Sequence, residues 1–356
     1  MVMMVRVWLW SLTLVGVFTA MKVHAKGRNP RAITSEALSF CSSLKGNKNK
    51  RCSASPEKGL SARQGVELAL EQCRKQFTDM RWNCSGVTVA DIFQTQRILL
   101  AGSRESSFLE AIAAAGVAYQ VTKGCSQGNW EECGCDSRMS GRGHKSGEMS
   151  WEWGGCSEDF RAGYDYSAKF MDPVKTEKSI SGFVTRHNNE AGRKMIKDKM
   201  DKTCKCHGVS GSCTIRVCWR TMPKMAQVAV ELRKKYDHAL KVKMNKNKSK
   251  LLKMLRGRRG KKRNTNNRRP SVSSLVFLSD SPEFCNPDER YGILGTHGRT
   301  CNKTSEGTDS CREMCCGRGY NGVRKVEDVK CNCSFIWCCH VKCDLCKKDW
   351  VEYTCK

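Results

Sequence analysis

Apolar positions recur at helical spacing through the first part of the chain. Val66, Leu70, Cys73 and Phe77 share one face, with Ser61 ahead of them as a candidate cap. Ser106 or Ser107 precedes FLEAIAAAGVAYQVTKG, where Phe108, Ile112, Ala115 and Tyr119 align and Gly124 can end the helix. Ser157, Glu158 and Asp159 open another helix, carrying Phe160, Tyr164 and Ala168. SGFVTRHNNEAGRKMIKDKM places Val184, Asn188, Ala191 and Met195 on one stripe. Thr221 and Pro223 start a further helix with Met225, Val228, Leu232 and Tyr236 on its face. Such stripes read as core rather than as binding surface. After a short apolar strand, Leu275 to Leu278, the pattern changes. Closely spaced cysteines with Gly, Asn and Asp between them predict short stapled hairpins with little helix.

The cysteines divide the chain in the same way. Of 24, twelve lie between Cys41 and Cys218 and twelve between Cys285 and Cys355, with none from 219 to 284. An even count at this density implies disulfides and an oxidising compartment; cytosolic zinc binding is the alternative. The N-terminus decides between them. Arg6 precedes an apolar run from Val7 to Ala20, followed by Val23-His24-Ala25. This is the pattern of a secretory signal peptide cut after Ala25, and the run is short for a membrane span of ~20 residues. Sequons at Asn83, Asn247, Asn302 and Asn332 agree with secretion. The expected class is α+β and disulfide-rich. A signal peptide (1–25) precedes a helical N-terminal domain (26–240), a basic linker (241–270) and a small cysteine-rich C-terminal domain (271–356).

Charge adds a partner class. The 356-residue chain carries a net charge of +28, and residues 241–269 alone hold fourteen Lys or Arg and no acid. Like charges repel, so this run is expected to be mobile. In a secreted protein the matching polyanion is heparan sulfate rather than nucleic acid, with Lys253, Arg256, Arg258, Arg259, Lys261, Lys262 and Arg263 as candidate contacts. A solvated linker with no partner is the plainer reading. Arg256-Gly257-Arg258-Arg259 also matches a basic convertase cleavage pattern.

The stretch CKCHGVSGSCTIRVC, residues 204–218, concentrates the chemistry. Four cysteines allow three pairings. Nesting Cys206–Cys213 inside Cys204–Cys218 is favoured because it makes a hairpin, with Val209 and Ser210 at its apex and Gly208 and Gly211 permitting the turn. Zinc binding by Cys-x-Cys-His is disfavoured by the oxidising compartment. A hydrolase nucleophile is suggested by GVSGS, but residue 212 is serine where the elbow requires glycine. The third reading is a serine held outward for modification.

CKCHGVSGSCTIRVCW resembles the signature of the Wnt family of secreted signalling proteins. RWNC (81–84), HNNEAGRK (187–194), SPEFC (281–285), GTHGRTCN (295–302), CREMCCGRGY (311–320) and CNCSFIWCCHVKC (331–343) fit as well. The resemblance implies a ligand without catalytic activity or cofactor, carrying palmitoleate on Ser210. A Porcupine-type acyltransferase would add the lipid and a Wntless carrier would handle the product. It implies further that this thumb and a finger at 331–346 grip a Frizzled cysteine-rich domain. Val209, Ser210, Phe335, Ile336, Trp337, Cys338, Cys339 and Val341 would form the contact. A low-density-lipoprotein-receptor-related protein would serve as co-receptor. The pairings implied are Cys73–Cys84, Cys125–Cys133, Cys135–Cys156, Cys285–Cys316, Cys301–Cys311, Cys315–Cys355, Cys331–Cys346 and Cys333–Cys343. A vicinal Cys338–Cys339 bridge joins them, and Cys41 with Cys52 takes the last two. The competing function is a heparin-binding matrix protein acting by electrostatic retention.

Overall fold

The computed structural model describes residues 30–356 except 145, 148, 175–178, 246–249 and 254–268. The signal segment, Asn247, the Arg256–Arg259 cleavage pattern and the candidate heparan sulfate contacts Arg256, Arg258, Arg259, Lys261, Lys262 and Arg263 lie outside the described residues, as does the side chain of Lys253. The helices are α1 (Pro30–Ser43), α2 (Gly46–Ala54), α3 (Pro56–Gln76), α4 (Val89–Gln94), α5 (Arg104–Ser126), α6 (Phe160–Met171), α7 (Ile180–Asp198), α8 (Met225–Asp237) and α9 (Cys311–Met314). Between α5 and α8 lie β1 (Arg142–Gly143), β2 (Trp151–Trp153), β3 (Asp201–His207) and β4 (Ile215–Thr221). The strands β5 (Leu240–Met244), β6 (Leu251–Lys253), β7 (Val276–Phe277), β8 (Pro287–Asp288), β9 (Ile293–Leu294) and β10 (Thr300–Cys301) follow α8. The chain ends in β11 (Tyr320–Ile336) and β12 (His340–Cys355).

Helix α5 is the centre of the helical unit. It is almost wholly buried, with apolar residues on every side and its few polar groups hydrogen-bonded inward, as a helix packed all round must be. Its small residues set how close the neighbours come. A Cβ on Gly116 would stand 2.2 Å from the carbonyl oxygen of Gly65 in α3, and one on Gly192 of α7 would stand 1.9 Å from that of Ala111. Only glycine permits either contact. Phe77, fully buried, packs edge-on against Trp82, Phe108 and Tyr236, which joins the stripes read from sequence into one core.

The predicted helices are present, with shifted starts. Ser103, not Ser106 or Ser107, caps α5, and Ser106 Oγ in turn accepts from the Ser103 amide as a capping box. The helix runs past Gly124 to Ser126. Ser61 lies inside α3, which begins at Pro56. Asp159 caps α6 by accepting from the Arg161 amide. Thr221 closes β4, so α8 starts later, at Met225.

Two features differ from the expectation. The segment assigned to a basic linker carries strands: β5 pairs with β6 on one side and, in parallel, with β7 on the other. Val242, Leu251 and Val276 pack there against Val184 of α7. The C-terminal unit holds one short hairpin, β8–β9, but its main hairpin is long, with β11 and β12 of 17 and 16 residues paired along their length.

The two units are joined by polar side chains that reach backbone. Arg299 donates to the carbonyls of Met80, Arg81 and Thr78 at 2.6, 2.7 and 2.8 Å, at the end of α3. Asn188 of α7 accepts from the Val276 amide and donates to its carbonyl, extending a ladder onto β7. Its Nδ2 also donates to Glu110 of α5, which accepts from Thr185 as well.

Arg299→Ala leaves three carbonyls without a charged donor and is expected to lower stability by about 3 kcal/mol. Denaturant unfolding of the secreted protein measures this; an unchanged midpoint would remove Arg299 from the junction. Burial pushes the Glu110 carboxyl up from 4.5 to about 7, against the opposing hydrogen bonds of Asn188 and Thr185. The folded chain therefore binds this proton more tightly than the unfolded chain does. Stability present at low pH is lost as pH rises from about 4.5 towards 7. Glu110→Gln is expected to flatten that slope in unfolding experiments across the same range.

Candidate functional site

The thumb hairpin is built from β3 and β4, antiparallel partners with Cys204 directly opposite Cys218. Disulfides close Cys204–Cys218 and, inside it, Cys206–Cys213. At the base β4 pairs with β2 in parallel, so the strand leaves a four-stranded sheet ordered β1-β2-β4-β3. Beyond the inner bridge the chain makes a single turn over Val209–Gly211. A Cβ at Gly208 would lie 2.3 Å from the Ser212 hydroxyl oxygen and 2.4 Å from its carbonyl, so only glycine lets the two sides meet. Ser210 stands at the apex with φ +57° and is exposed. Its hydroxyl has no hydrogen-bond partner among the described residues. Val209 beside it is 88% exposed, and Ile215 also faces solvent.

This geometry disposes of two chemical readings. Cys204, Cys206, Cys213 and Cys218 are all bridged and offer no thiolate to zinc. The serine joins two antiparallel strands rather than a strand and a helix, so the hydrolase elbow is not formed. What remains is an accessible hydroxyl on a narrow, cross-braced projection.

The finger lies at the far end of β11 and β12. Disulfides Cys331–Cys346 and Cys333–Cys343 brace it, and the register shifts between Cys331 and Ser334. Phe335 faces Val341 and Ile336 faces His340 across the last pairs. Trp337 is 90% exposed at the turn, with Phe335 and Val341 also well exposed. No layer of structure stands behind the tip to take these side chains in.

The structure also closes Cys41–Cys52, Cys73–Cys84, Cys125–Cys133, Cys135–Cys156, Cys285–Cys316, Cys301–Cys311 and Cys315–Cys355. The vicinal pair is a correction: Cys338 and Cys339 are free and exposed, with φ +74° and +81°. A trans peptide holds neighbouring Cα atoms about 3.8 Å apart, below the usual range for a disulfide. A tight turn leaves both thiols pointing to solvent instead. The exposed apolar side chains that the sequence reading did not single out include Ile215 beside the thumb and Leu345 below the fingertip. Leu345 lies between the bridged Cys343 and Cys346 in sequence, which is the only local signal for it.

A family model described as the wnt family matches residues 41–356. This chain belongs to the Wnt family. Members are signalling ligands and not enzymes. WNT8A, from its complex with human WLS, shares the fold with a TM-score of 0.61 and 32% identity, over 90% of this chain and 99% of that one. The N-terminal domain-linker of Drosophila WntD is more distant, with a TM-score of 0.43 and 21% identity over 64% of this Wnt and 98% of that chain. No helix among the described residues is long and apolar enough to cross a membrane.

Non-reduced, secreted protein is expected to take two maleimide groups, both lost in a Cys338→Ser, Cys339→Ser double variant. Intact mass counts them. A protein that takes none until reductant is added carries the vicinal bridge after all.

Proposed function

We propose that this Wnt is a secreted ligand that carries palmitoleate on Ser210 and delivers it into the groove of a Frizzled cysteine-rich domain. The observation that carries the reading is an exposed serine hydroxyl on a hairpin closed by two nested disulfides. Acyl burial contributes ~0.8 kcal/mol per methylene, so a long chain outweighs any side chain on that tip. The braces keep the tip from folding back over its own lipid. Phe335, Ile336, Trp337 and Val341 then supply a second, purely protein contact on the other side of the receptor domain. Two separated contacts on one rigid body combine by effective concentration. A low-density-lipoprotein-receptor-related protein completes the signalling assembly.

The same lipid demands handling before release. A Porcupine-type enzyme acylates Ser210, and a Wntless-type carrier holds the product, as human WLS holds WNT8A. Heparan sulfate retains the released protein through the basic run at 253–263, and the signal segment is cut after Ala25. Of the described sequons, Asn302 is best presented for glycosylation. It is exposed, and its Oδ1 accepts from both the amide and hydroxyl of Thr304, which leaves Nδ2 outward. Asn332 is exposed too, whereas Asn83 adjoins the buried, bridged Cys84.

Ser210→Ala is expected to remove the acyl mass and to weaken receptor-domain binding by more than about a hundredfold. Trp337→Ala should keep the acyl mass and weaken binding by about thirtyfold, the loss of roughly 2 kcal/mol at an interface hot spot. Binding that survives Ser210→Ala undiminished, yet falls steeply with added salt, would favour the matrix-retention alternative.

A further inference from the structure

The outer edge of β11 is open. The sheet order β10-β12-β11 places this strand at a border, with β12 on its inner side. Strand β10 reaches only the end of β12, at Tyr353 and Thr354. Tyr320 to Asp328 are exposed without a break, and among the described residues no strand pairs with their outer side. Such an edge offers unpaired amides and carbonyls to any extended segment, and proteins usually blunt it by shortness, proline or a bulge. Strand β11 has 17 residues and no proline, and its register shift comes only after Cys331.

The side chains along the edge select one occupant. Residues 323–329 read VRKVEDV. Turned end for end about Val326, this segment sets Arg324 against Asp328, Lys325 against Glu327 and Val323 against Val329. Directly opposed residues in an antiparallel pair share a face, with Cβ atoms about 5 Å apart, so each of these pairs can touch. A shift of two residues either way sets Lys325 or Glu327 against its own copy. A parallel arrangement in register opposes like charges throughout. The charges that guard an edge in other proteins here favour a single antiparallel register. The chain as a whole carries +28, so copies of it repel, but in this segment two bases and two acids cancel.

The charges are available for such a contact. Glu327 and Asp328 form no ion pair among the described residues, although Lys348 and Lys347 stand opposite them; Lys348 lies over the Trp350 ring instead. Arg324 pairs with Asp349 and Lys325 with Glu352, both at the surface, where an ion pair contributes little and is readily shared. Val323 and Val326 are 51% and 58% exposed and gain cover from a neighbouring strand.

We infer that β11 pairs edge to edge with β11 of a second copy of this chain, antiparallel and centred on Val326. The two hairpins then form one continuous sheet, with the fingertips directed oppositely. Neither Ser210 nor Trp337 belongs to the paired segment, so the contact is independent of the acyl group.

The test is sedimentation velocity on the detergent-solubilised, full-length secreted protein over a range of concentrations. The wild type is expected to show a reversible monomer–dimer equilibrium. An acidic variant (Arg324→Asp, Lys325→Glu) and a basic variant (Glu327→Lys, Asp328→Arg) should each self-associate about tenfold or more weakly, because every cross-copy charge pair becomes repulsive. Mixed together, the two variants are complementary at all four charged positions and should associate with each other. Recovery on mixing separates lost pairing from lost folding, and near-UV circular dichroism checks each variant alone. All three proteins carry the same acyl group, so association through lipid would be equal in all of them. That result overturns the inference, as does a mixture of folded variants that fails to associate. A wild type that stays monomeric to its highest soluble concentration also overturns it, and leaves the edge to a strand of another protein.

Discussion

Covalent cross-linking stands in for a hydrophobic core in the two hairpins that project from this chain, and the display of their tips follows from that exchange. A two-stranded hairpin is at best marginal in water. The thumb and the finger are each such hairpins, exposed at their tips. Each is closed twice, by Cys204–Cys218 with Cys206–Cys213 and by Cys331–Cys346 with Cys333–Cys343. Closing a loop this short removes about 2–3 kcal/mol of unfolded-chain entropy per bridge, on the chain-entropy account. That is enough to hold a turn without burying anything. Apolar and reactive groups at the tips can then stay outside, which a core-stabilised element would not allow.

The platform obeys the opposite rule. Its stability lies in helices that approach to glycine distance around α5, so volume there is tightly constrained. Gly65, Gly116 and Gly192 meet backbone carbonyls at distances that exclude a methyl group. One side chain larger would separate α3 or α7 from α5 and move every element carried by them. The thumb grows from a strand that follows α7 by only a short connection, so that spacing is transmitted to the tip.

Much of this was legible in the residues because local chemistry specified it. The stripes Val66–Phe77 and Met225–Tyr236 converge on one aromatic cluster, and Ser210 could be picked out because four cysteines fence it. The illegible parts have physical reasons. Three serines lie near the start of α5, and only the reciprocal bond between Ser103 and Ser106 selects the cap. Strand β5 has a period of two in Leu240-Lys241-Val242-Lys243-Met244, but the lysines read as part of a charge run rather than as its solvent face. The stem of β11 and β12 is exposed on both faces, so no apolar alternation announces its length. The contact of Arg299 with the end of α3 spans over two hundred residues and leaves no local trace.

That junction fixes the elements carrying the two tips to one another, as the proposed two-contact grip requires. Arg299 is satisfied by carbonyl oxygens, Asn188 by the amide and carbonyl of Val276, and the Leu278 and Ser279 amides by the Gly102 carbonyl. Each of these bonds uses at least one backbone partner, and the last pair uses backbone on both sides. Backbone partners are present whatever side chain occupies the position. Outer surfaces can therefore change in charge or shape without altering the distance from Ser210 to Trp337. The spacing of the two tips is a property of the chain path, and in the proposed grip the tips are left free to set which partner it fits.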